Sequence, residues 1–374
     1  MKLDALPTPA LLLDIDRIRR NAEDMRSRAR RLGVRLRPHI KTHKSVEVAD
    51  IQLAGLPKAV TVSTLAEARN FVAHGFRDVT YAVPIEQGKF DLAATLAHDC
   101  DRLGVITDDP SVVGGLNRAA RTAGTTLDVF LDVDCGYHRT GIDPRGALAV
   151  DIPRRIHESS HLRFGGILTH AGHAYRCGTP EERLAVAREE RDVMVELAAH
   201  LREGCIEVPA VSIGSTPTMT AVDHLEGVDE IRPGNYIFFD AMQVRLGSCG
   251  SAQCALSVLA AVVHRDPDRR KVVIDAGAIA LSKDQGAVDL EPTAGYGQVL
   301  DLEGADLGFT VSSVAQEHGT CVVTGDGPLD KLPVGARVRV LANHSCLTAA
   351  QHSCYYVVSG QEVVEQWPIN RGWH

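Results

Sequence analysis

The chain has 374 residues, with 40 Lys and Arg against 48 Asp and Glu and 44% hydrophobic residues. At roughly 150 residues per domain this supports two or three cores without disulfide or metal staples, and the composition excludes disordered, collagen-like and disulfide-stapled classes. A net charge of −8 with no dense basic run is the wrong sign for a nucleic-acid partner.

In chain order, the first apolar stretch, residues 10–13, is closed by Asp14 and does not read as a signal peptide. No later run approaches the roughly 20 apolar residues that cross a bilayer, so no membrane partner is expected. Nine cysteines, an odd number without CxxC spacing, predict reduced thiols and a cytoplasmic location. Residues 10–15 read as a strand that either joins a β domain or bridges two domains. Residues 16–32 read as a helix with Asp16 as N-cap and Gly33 as C-cap. From Val34 onward, β-branched runs at 34–38, 59–63, 78–83, 102–106, 127–132, 163–169, 209–213 and 229–232 alternate with amphipathic stretches such as 64–74 and 180–201. Eight strand-helix units over roughly 200 residues predict a TIM-type (β/α)8 barrel, with an open doubly wound sheet as its rival. After Phe239 the helical pattern stops, and strands at 256–264, 271–275, 308–314, 320–324, 337–341 and 355–358 predict a smaller, mainly β domain. The expected division is a barrel over residues 16–240 and a β domain over 241–374, joined by residues 1–15.

The densest chemical signal follows the first barrel strand: Arg37-Pro38-His39-Ile40-Lys41-Thr42-His43-Lys44. Barrel enzymes carry their reactive groups at the C-terminal ends of the strands. After the seventh strand, Gly214, Ser215 and Thr216 open a helix, where small residues present backbone N–H groups to an anion. The eighth ends in Arg232-Pro233-Gly234-Asn235-Tyr236, and barrel phosphate sites lie on the loops after strands seven and eight. A lysine facing a phosphate cradle predicts pyridoxal 5'-phosphate, whose aldehyde a lysine amine holds. Singly, each signal has a plainer account: a basic surface loop, a polar residue at a strand end, or a salt-bridge partner.

Together, RPHIKTHKS, DVDCGYHRTG, GILTHAGHAY, SIGSTPT, RPGNYIFFD, AQEHG and ANHSCLT, in this order, resemble the D-serine dehydratase and D-threonine aldolase family. These are fold type III pyridoxal phosphate enzymes of the alanine racemase type, a barrel followed by a β domain. The resemblance implies Lys41 as the imine-forming lysine, with Lys44 outside the site. It implies Arg139 on the cofactor's ring oxygen, His170 against the ring face and Tyr175 near the ring nitrogen. Gly214, Ser215, Thr216, Gly234 and Tyr236 are implied around the phosphate. It also implies a head-to-tail homodimer whose active site lies where the barrel meets a partner's β domain.

Asn343-His344-Ser345-Cys346 carries an imidazole and a thiol two residues apart. In an extended segment that spacing puts both on one face, a zinc-like pair. His352-Ser353-Cys354 repeats the spacing, so spacing alone does not choose between them. The first copy matches the family's NHxCLT run, whereas the second leads into a plain strand. The divalent metal is therefore expected at His344 and Cys346, with zinc foremost and manganese or cobalt as alternatives. The substrate is expected to be a small β-hydroxy D-amino acid such as D-serine or D-threo-3-hydroxyaspartate. Lys41 would take the α-proton and a metal-assisted elimination of the β-hydroxyl would yield a 2-oxo acid and ammonia. The alternative is D-threonine aldolase-type cleavage to glycine and an aldehyde. In the family, Cys two residues after the His accompanies dehydratases and Asp often accompanies aldolases. A non-catalytic pyridoxal phosphate carrier would need neither the β domain nor the metal pair.

Overall fold

The structure is a computed structural model that describes residues 1–286, 288–324, 327 and 329–373. In chain order the strands are β1 (Ala10–Asp14), β2 (Arg35–Leu36), β3 (Ala59–Val62), β4 (Asp78–Pro84), β5 (Arg102–Thr107), β6 (Leu127–Val133), β7 (Leu162–Thr169), β8 (Val211–Ile213) and β9 (Glu230–Ile231). They continue as β10 (Leu256–Asp266), β11 (Lys271–Ile274), β12 (Gly297–Leu300), β13 (Asp306–Val314), β14 (Gly319–Val323), β15 (Arg337–Ala342), β16 (Cys354–Ser359) and β17 (Glu362–Pro368). The chain divides into two compact units. One contains Met25–Lys41, Gln52–Gly234 and a C-terminal piece starting at Arg371; the other contains Met1–Asp24, Thr42–Ile51 and Asn235–Asn370.

The first unit holds one parallel sheet in the order β2-β9-β8-β7-β6-β5-β4-β3. A parallel bridge between His39 and Thr61 joins the continuation of β2 to β3. That bridge closes the ring and rules out the open doubly wound rival. The strands run from two to eight residues around the interior. Within it, Ile106, Phe130, Leu168 and Ala210 form one buried cluster. Gly104 and Gly165 flank Phe130, and a Cβ at either would come within 2.9 or 2.8 Å of its ring. The helix Pro180–Glu203 starts at a Thr179 capping box with Pro180 in its first turn, the arrangement that satisfies the exposed N–H groups of a helix start.

The second unit is built on a nine-stranded sheet ordered β11-β14-β13-β12-β15-β10-β1-β16-β17. An additional β10–β11 pairing closes six of these strands on themselves. β10 serves both neighbourhoods because a register shift between Val262 and His264 bends it. β1 lies antiparallel to β10 and parallel to β16, so the N-terminal strand belongs to the β sheet. The helix that follows, Ile15–Arg31, is capped by Asp14 rather than Asp16: Asp14 Oδ1 accepts the N–H groups of Asp16 and Arg17 at 3.1 and 3.0 Å. Strands β12 and β17 lack the apolar runs by which the others announce themselves; Gly297 opens one and Glu362, Glu365 and Gln366 interrupt the other. No helix among the described residues is long and apolar enough to cross a membrane.

Candidate active site

Because the eight barrel strands are parallel, their C-terminal ends open on one face, and the residues singled out in this unit follow those ends. Lys41 lies in the one-turn helix Ile40–Thr42 just beyond β2, with its side chain exposed. Its N–H is 3.5 Å from His39 Nδ1. The same basic run divides into different roles. Arg37 is buried and ion-paired to Glu230 at 3.0 Å and Asp78 at 2.8 Å. In the other unit the His43 carbonyl accepts the Tyr355 hydroxyl at 2.7 Å.

His170 directly follows β7. Burial pushes its imidazole well below the usual value, and the positive charges of Lys41, Arg139 and Arg232 push it further, so the ring is neutral near pH 7. It meets Tyr137 edge-on at 6.1 Å, and the Arg139 guanidinium lies over the same Tyr137 ring at 5.3 Å. Gly172 has to be glycine here, since a Cβ would collide with the Tyr137 ring. Tyr175 is half-buried in the short helix Gly172–Arg176. Lys41, Arg139, His170 and Arg232 thus share one electrostatic neighbourhood, with cations around a neutral ring. That set suits a planar, anionic cofactor.

The turn after β8 is held from beneath. Glu190 Oε1 accepts the N–H of Gly214 at 3.0 Å and that of Ala171, next to His170, at 3.2 Å. Glu190 is fully buried, and burial raises its pKa. Gly214 adopts φ +109, and a Cβ there would lie 3.1 Å from Met219 Cγ, so the backbone of this turn is open to close approach only as glycine. Ser215 caps the helix Thr216–Ala221 in a capping box with Thr218, whose hydroxyl accepts the Ser215 N–H at 3.0 Å. The N–H groups of Gly214 and Ser215 are therefore committed to protein acceptors, a limit on the cradle that sequence reasoning did not anticipate. Gly234 is buried three residues beyond β9. Arg232 donates to Ser212 Oγ and the Thr169 carbonyl; burial lowers it to about 10 against the pull of Glu230, Glu190 and Asp132. Burial likewise raises Asp132 to about 6. Glu190 was missed from sequence because helix 180–203 is rich in acids. The available signal was its place on the buried stripe with Ala187, Met194 and Leu197.

Tyr236, His344 and Cys346 belong to the other unit. Tyr236 is buried in the turn Asn235–Ile237. His344 and Cys346 do not share an extended segment: His344 occupies the N-cap position of the helix Ser345–Ala349, with no capping bond from its side chain, and Cys346 lies in its first turn. They are coupled all the same. His344 Nδ1 bonds Asp284 Oδ2 at 2.6 Å, the carboxylate-imidazole arrangement that leaves Nε2 to a metal. Burial opposes the charge on His344, but Cys346 and Asp284 outweigh it and hold the imidazole well above its usual value. Burial likewise opposes the Cys346 thiolate, and the His344 charge with the Thr42 hydroxyl brings the thiol down. Asn235 Nδ2 lies 3.7 Å from Cys346 Sγ, and Asp240 Oδ2 accepts the Ser345 N–H at 2.9 Å. Asp240 closes the RPGNYIFFD run and Asp284 stands outside every motif; neither had been given a role. The second copy is used otherwise, with His352 Nε2 on the Ala280 carbonyl at 3.0 Å and Cys354 Sγ accepting from Gln366 at 2.9 Å. Among the described residues, no group of three or more His, Cys, Asp or Glu side chains is arranged to hold a metal. An imidazole with a thiol of lowered pKa is a soft two-donor set, which fits an open metal site and not a closed structural one.

Residues 13–242 match the family described as alanine racemase, N-terminal domain, and residues 255–358 match a putative serine dehydratase domain. The chain is 39% identical over 376 residues to D-threo-3-hydroxyaspartate dehydratase of Delftia sp. (strain HT23), covering 98% of each. It is 35% identical over 393 residues to D-serine dehydratase of Dictyostelium discoideum, covering 99% of this chain and 98% of that protein. A solved structure of a D-threo-3-hydroxyaspartate dehydratase mutant in the metal-free form superposes with a TM-score of 0.95 at 38% identity, covering all of both chains.

Proposed function

The chain belongs to the alanine racemase N-terminal-domain family, in the branch that carries a serine dehydratase domain, and from that premise we propose that it is a pyridoxal phosphate- and metal-dependent lyase of β-hydroxy D-amino acids. It eliminates the β-hydroxyl to give a 2-oxo acid and ammonia, with D-threo-3-hydroxyaspartate and D-serine as the first candidate substrates, and it works in the cytoplasm as a homodimer. The observation that carries the reading is the His344–Cys346 pair backed by Asp284. When bound, pyridoxal phosphate supplies an electron sink at the α-carbon and a divalent ion, zinc before manganese or cobalt, supplies a Lewis acid toward the β-hydroxyl.

The chain's own residues do the rest. Lys41 would anchor the cofactor, and its Nζ would take the α-proton as general base. Arg139 would hold the ring oxygen, neutral His170 would pack on the ring face and Tyr175 would lie near the ring nitrogen. Gly214, Ser215 and Thr216, with Gly234 and Tyr236, would lie around the phosphate, Gly214 offering close approach rather than a free N–H; Glu190 supports that turn from below. His344 Nε2 and Cys346 Sγ hold the ion, and Asp284 fixes the imidazole's orientation. Support for the whole assignment comes from the neutral His170 among cations and from the near-complete coverage by a dehydratase relative.

Incubation of the purified protein with D-serine, D-threonine and D-threo-3-hydroxyaspartate, with ammonia, 2-oxo acid and aldehyde assayed together, tests the reading. Ammonia equal to 2-oxo acid supports it; glycine with an aldehyde assigns the retro-aldol outcome instead. Borohydride reduction and peptide mapping are expected to place the pyridoxyl group on Lys41, and recovery on Lys44 or Lys283 would overturn that anchor.

A further inference from the structure

Tyr137 and Arg139 ride on a loop that burial does not hold. Residues 134–142 leave β6 and return to it: a parallel bridge joins Val133 to Ile142, the Asp134 N–H donates to the Ile142 carbonyl, and the Ile142 N–H donates to the Asp132 carbonyl, both at 3.0 Å. Between those ends Gly136, His138, Arg139 and Thr140 are exposed. Gly136, His138 and Gly141 take φ of +112, +58 and +102. His138 therefore meets the steric cost that a residue with a side chain carries in the left-handed region.

An exposed loop with such a backbone depends on its own bonds, and two carboxylates supply them. Asp134 Oδ1 accepts the N–H groups of Gly136 and His138, each at 2.9 Å, and Asp134 Oδ2 meets His138 Nδ1 at 2.5 Å. At the far end Asp108, directly after β5, accepts the Gly141 N–H on Oδ2 at 2.8 Å. A Cβ at Gly141 would lie 2.5 Å from the Asp134 nitrogen, so the loop closes only on glycine. The His138 side chain is 81% exposed, and an exposed ion pair adds little by itself; the charge-assisted bonds to the two backbone N–H groups do most of the holding. Burial opposes the charge on Asp134, but the His138 and Gly136 N–H groups and the His138 imidazole outweigh it and keep the pKa below its usual value. The acceptor thus stays ionised near neutral pH. Held this way, the loop sets Tyr137 edge-on to His170 and against Gly172, with the Arg139 guanidinium over the Tyr137 ring.

We propose that Asp134, with Asp108 at the other end, is a positioning residue: the two carboxylates fix residues 134–142 in the conformation that presents Arg139 to the cofactor's ring oxygen, and so act on cofactor binding through Arg139. The inference rests on the lyase reading for the role of Arg139 and deepens it by naming the groups on which that role depends.

Wild type, Asp134→Ala, Arg139→Gln and the double variant form the cycle that tests this. The readouts are the dissociation constant of pyridoxal phosphate in equilibrium dialysis and the pH midpoint of the bound cofactor's visible absorbance, with hydrogen exchange of residues 135–141 followed in the cofactor-free proteins. Asp134→Ala is expected to speed exchange in that segment, to raise the dissociation constant at least about tenfold, and to move the absorbance midpoint in the same direction as Arg139→Gln. On the Arg139→Gln background it should add less than about twofold, since two residues that act through one group are not additive. Asp134→Asn keeps an acceptor oxygen for the two N–H groups and should retain most of the affinity. If Asp134→Ala folds poorly, Asp108→Ala carries the same cycle. Equal losses on both backgrounds, the mark of a merely structural role, or an unchanged dissociation constant in the single variant that folds would overturn the inference and leave the lyase reading in place. A wild type that takes up no cofactor would overturn both.

Discussion

His344 and His352 each precede a cysteine by two residues, yet their surroundings differ in kind. His344 has a carboxylate on Nδ1, and Cys346 has a neighbouring positive charge. His352 and Cys354 are spent on a carbonyl and an amide. Cys346→Ala is expected to lose the metal and with it ammonia release, while the cofactor's absorbance persists, since the residues proposed to hold the cofactor are other than His344 and Cys346. Chelation of the wild type should reproduce that phenotype, and added divalent ion should reverse it. Asp284→Asn should weaken metal affinity by roughly 10- to 100-fold, the range for a carboxylate that orients a metal-binding imidazole. Cys354→Ala should cost no more than about 1 kcal/mol of stability. Metal content after dialysis is the measurement, and retention by Cys346→Ala with loss by Cys354→Ala would reverse the assignment.

Between elements, two buried carboxylates tie the barrel together by opposite electrostatics. Glu230 on β9 takes Arg37 beyond β2, and Arg37 also holds Asp78 on β4. Burial would raise the Glu230 pKa, but Arg37 and Ser212 outweigh it and bring it to about 2. A carboxyl depressed on folding contributes stability that is complete above its unfolded value, here 4.5, and is lost as pH falls toward 2. Glu230→Gln should therefore cost about 3 kcal/mol at neutral pH by leaving Arg37 short of a partner, and should flatten the acid limb between pH 4.5 and 2. Thermal midpoints of both proteins across that range decide it; parallel acid limbs would refute the linkage. Glu190 works differently, joining the residue after His170 to the turn at Gly214 through one oxygen. Glu190→Leu should raise the cofactor's dissociation constant at least about tenfold, two N–H partners being lost at once. Glu190→Gln, which keeps an acceptor, should stay nearer wild type. Equilibrium dialysis against pyridoxal phosphate reads this without reference to activity.

For the whole molecule, a head-to-tail homodimer is the expected active form, on the strength of the family resemblance. Sedimentation across a dilution series with parallel activity assays tests it, and a fully active monomer at nanomolar concentration would count against it. The parallel sheet closes through a bridge at His39 and Thr61, and six strands of the mixed sheet close through β10 and β11. Each unit thereby leaves fewer exposed strand edges, the liability that closed sheets remove.

Local pattern alone determined the alternation of strand and helix, the switch to a mainly β segment after Phe239, and the strand ends that carry Lys41, His170 and Gly214. These are legible because β-branched runs, glycines at turns and capping residues act on their immediate neighbours. The β12 and β17 strands escaped because their stability comes from paired neighbours and not from their own apolar content. Closure of the barrel also lay beyond local pattern, since one backbone bridge separates it from an open sheet. Spacing did not choose between the two His-x-Cys copies and the family resemblance favoured the first; the difference in their surroundings is tertiary. That difference includes Asp284, 60 residues from His344, and Asp240, 105 residues from Ser345. An acidic residue in a sequence is indistinguishable from its many exposed fellows until folding buries it against a particular donor. What Glu190 and Asp284 do is therefore decided by which partners the fold brings to them.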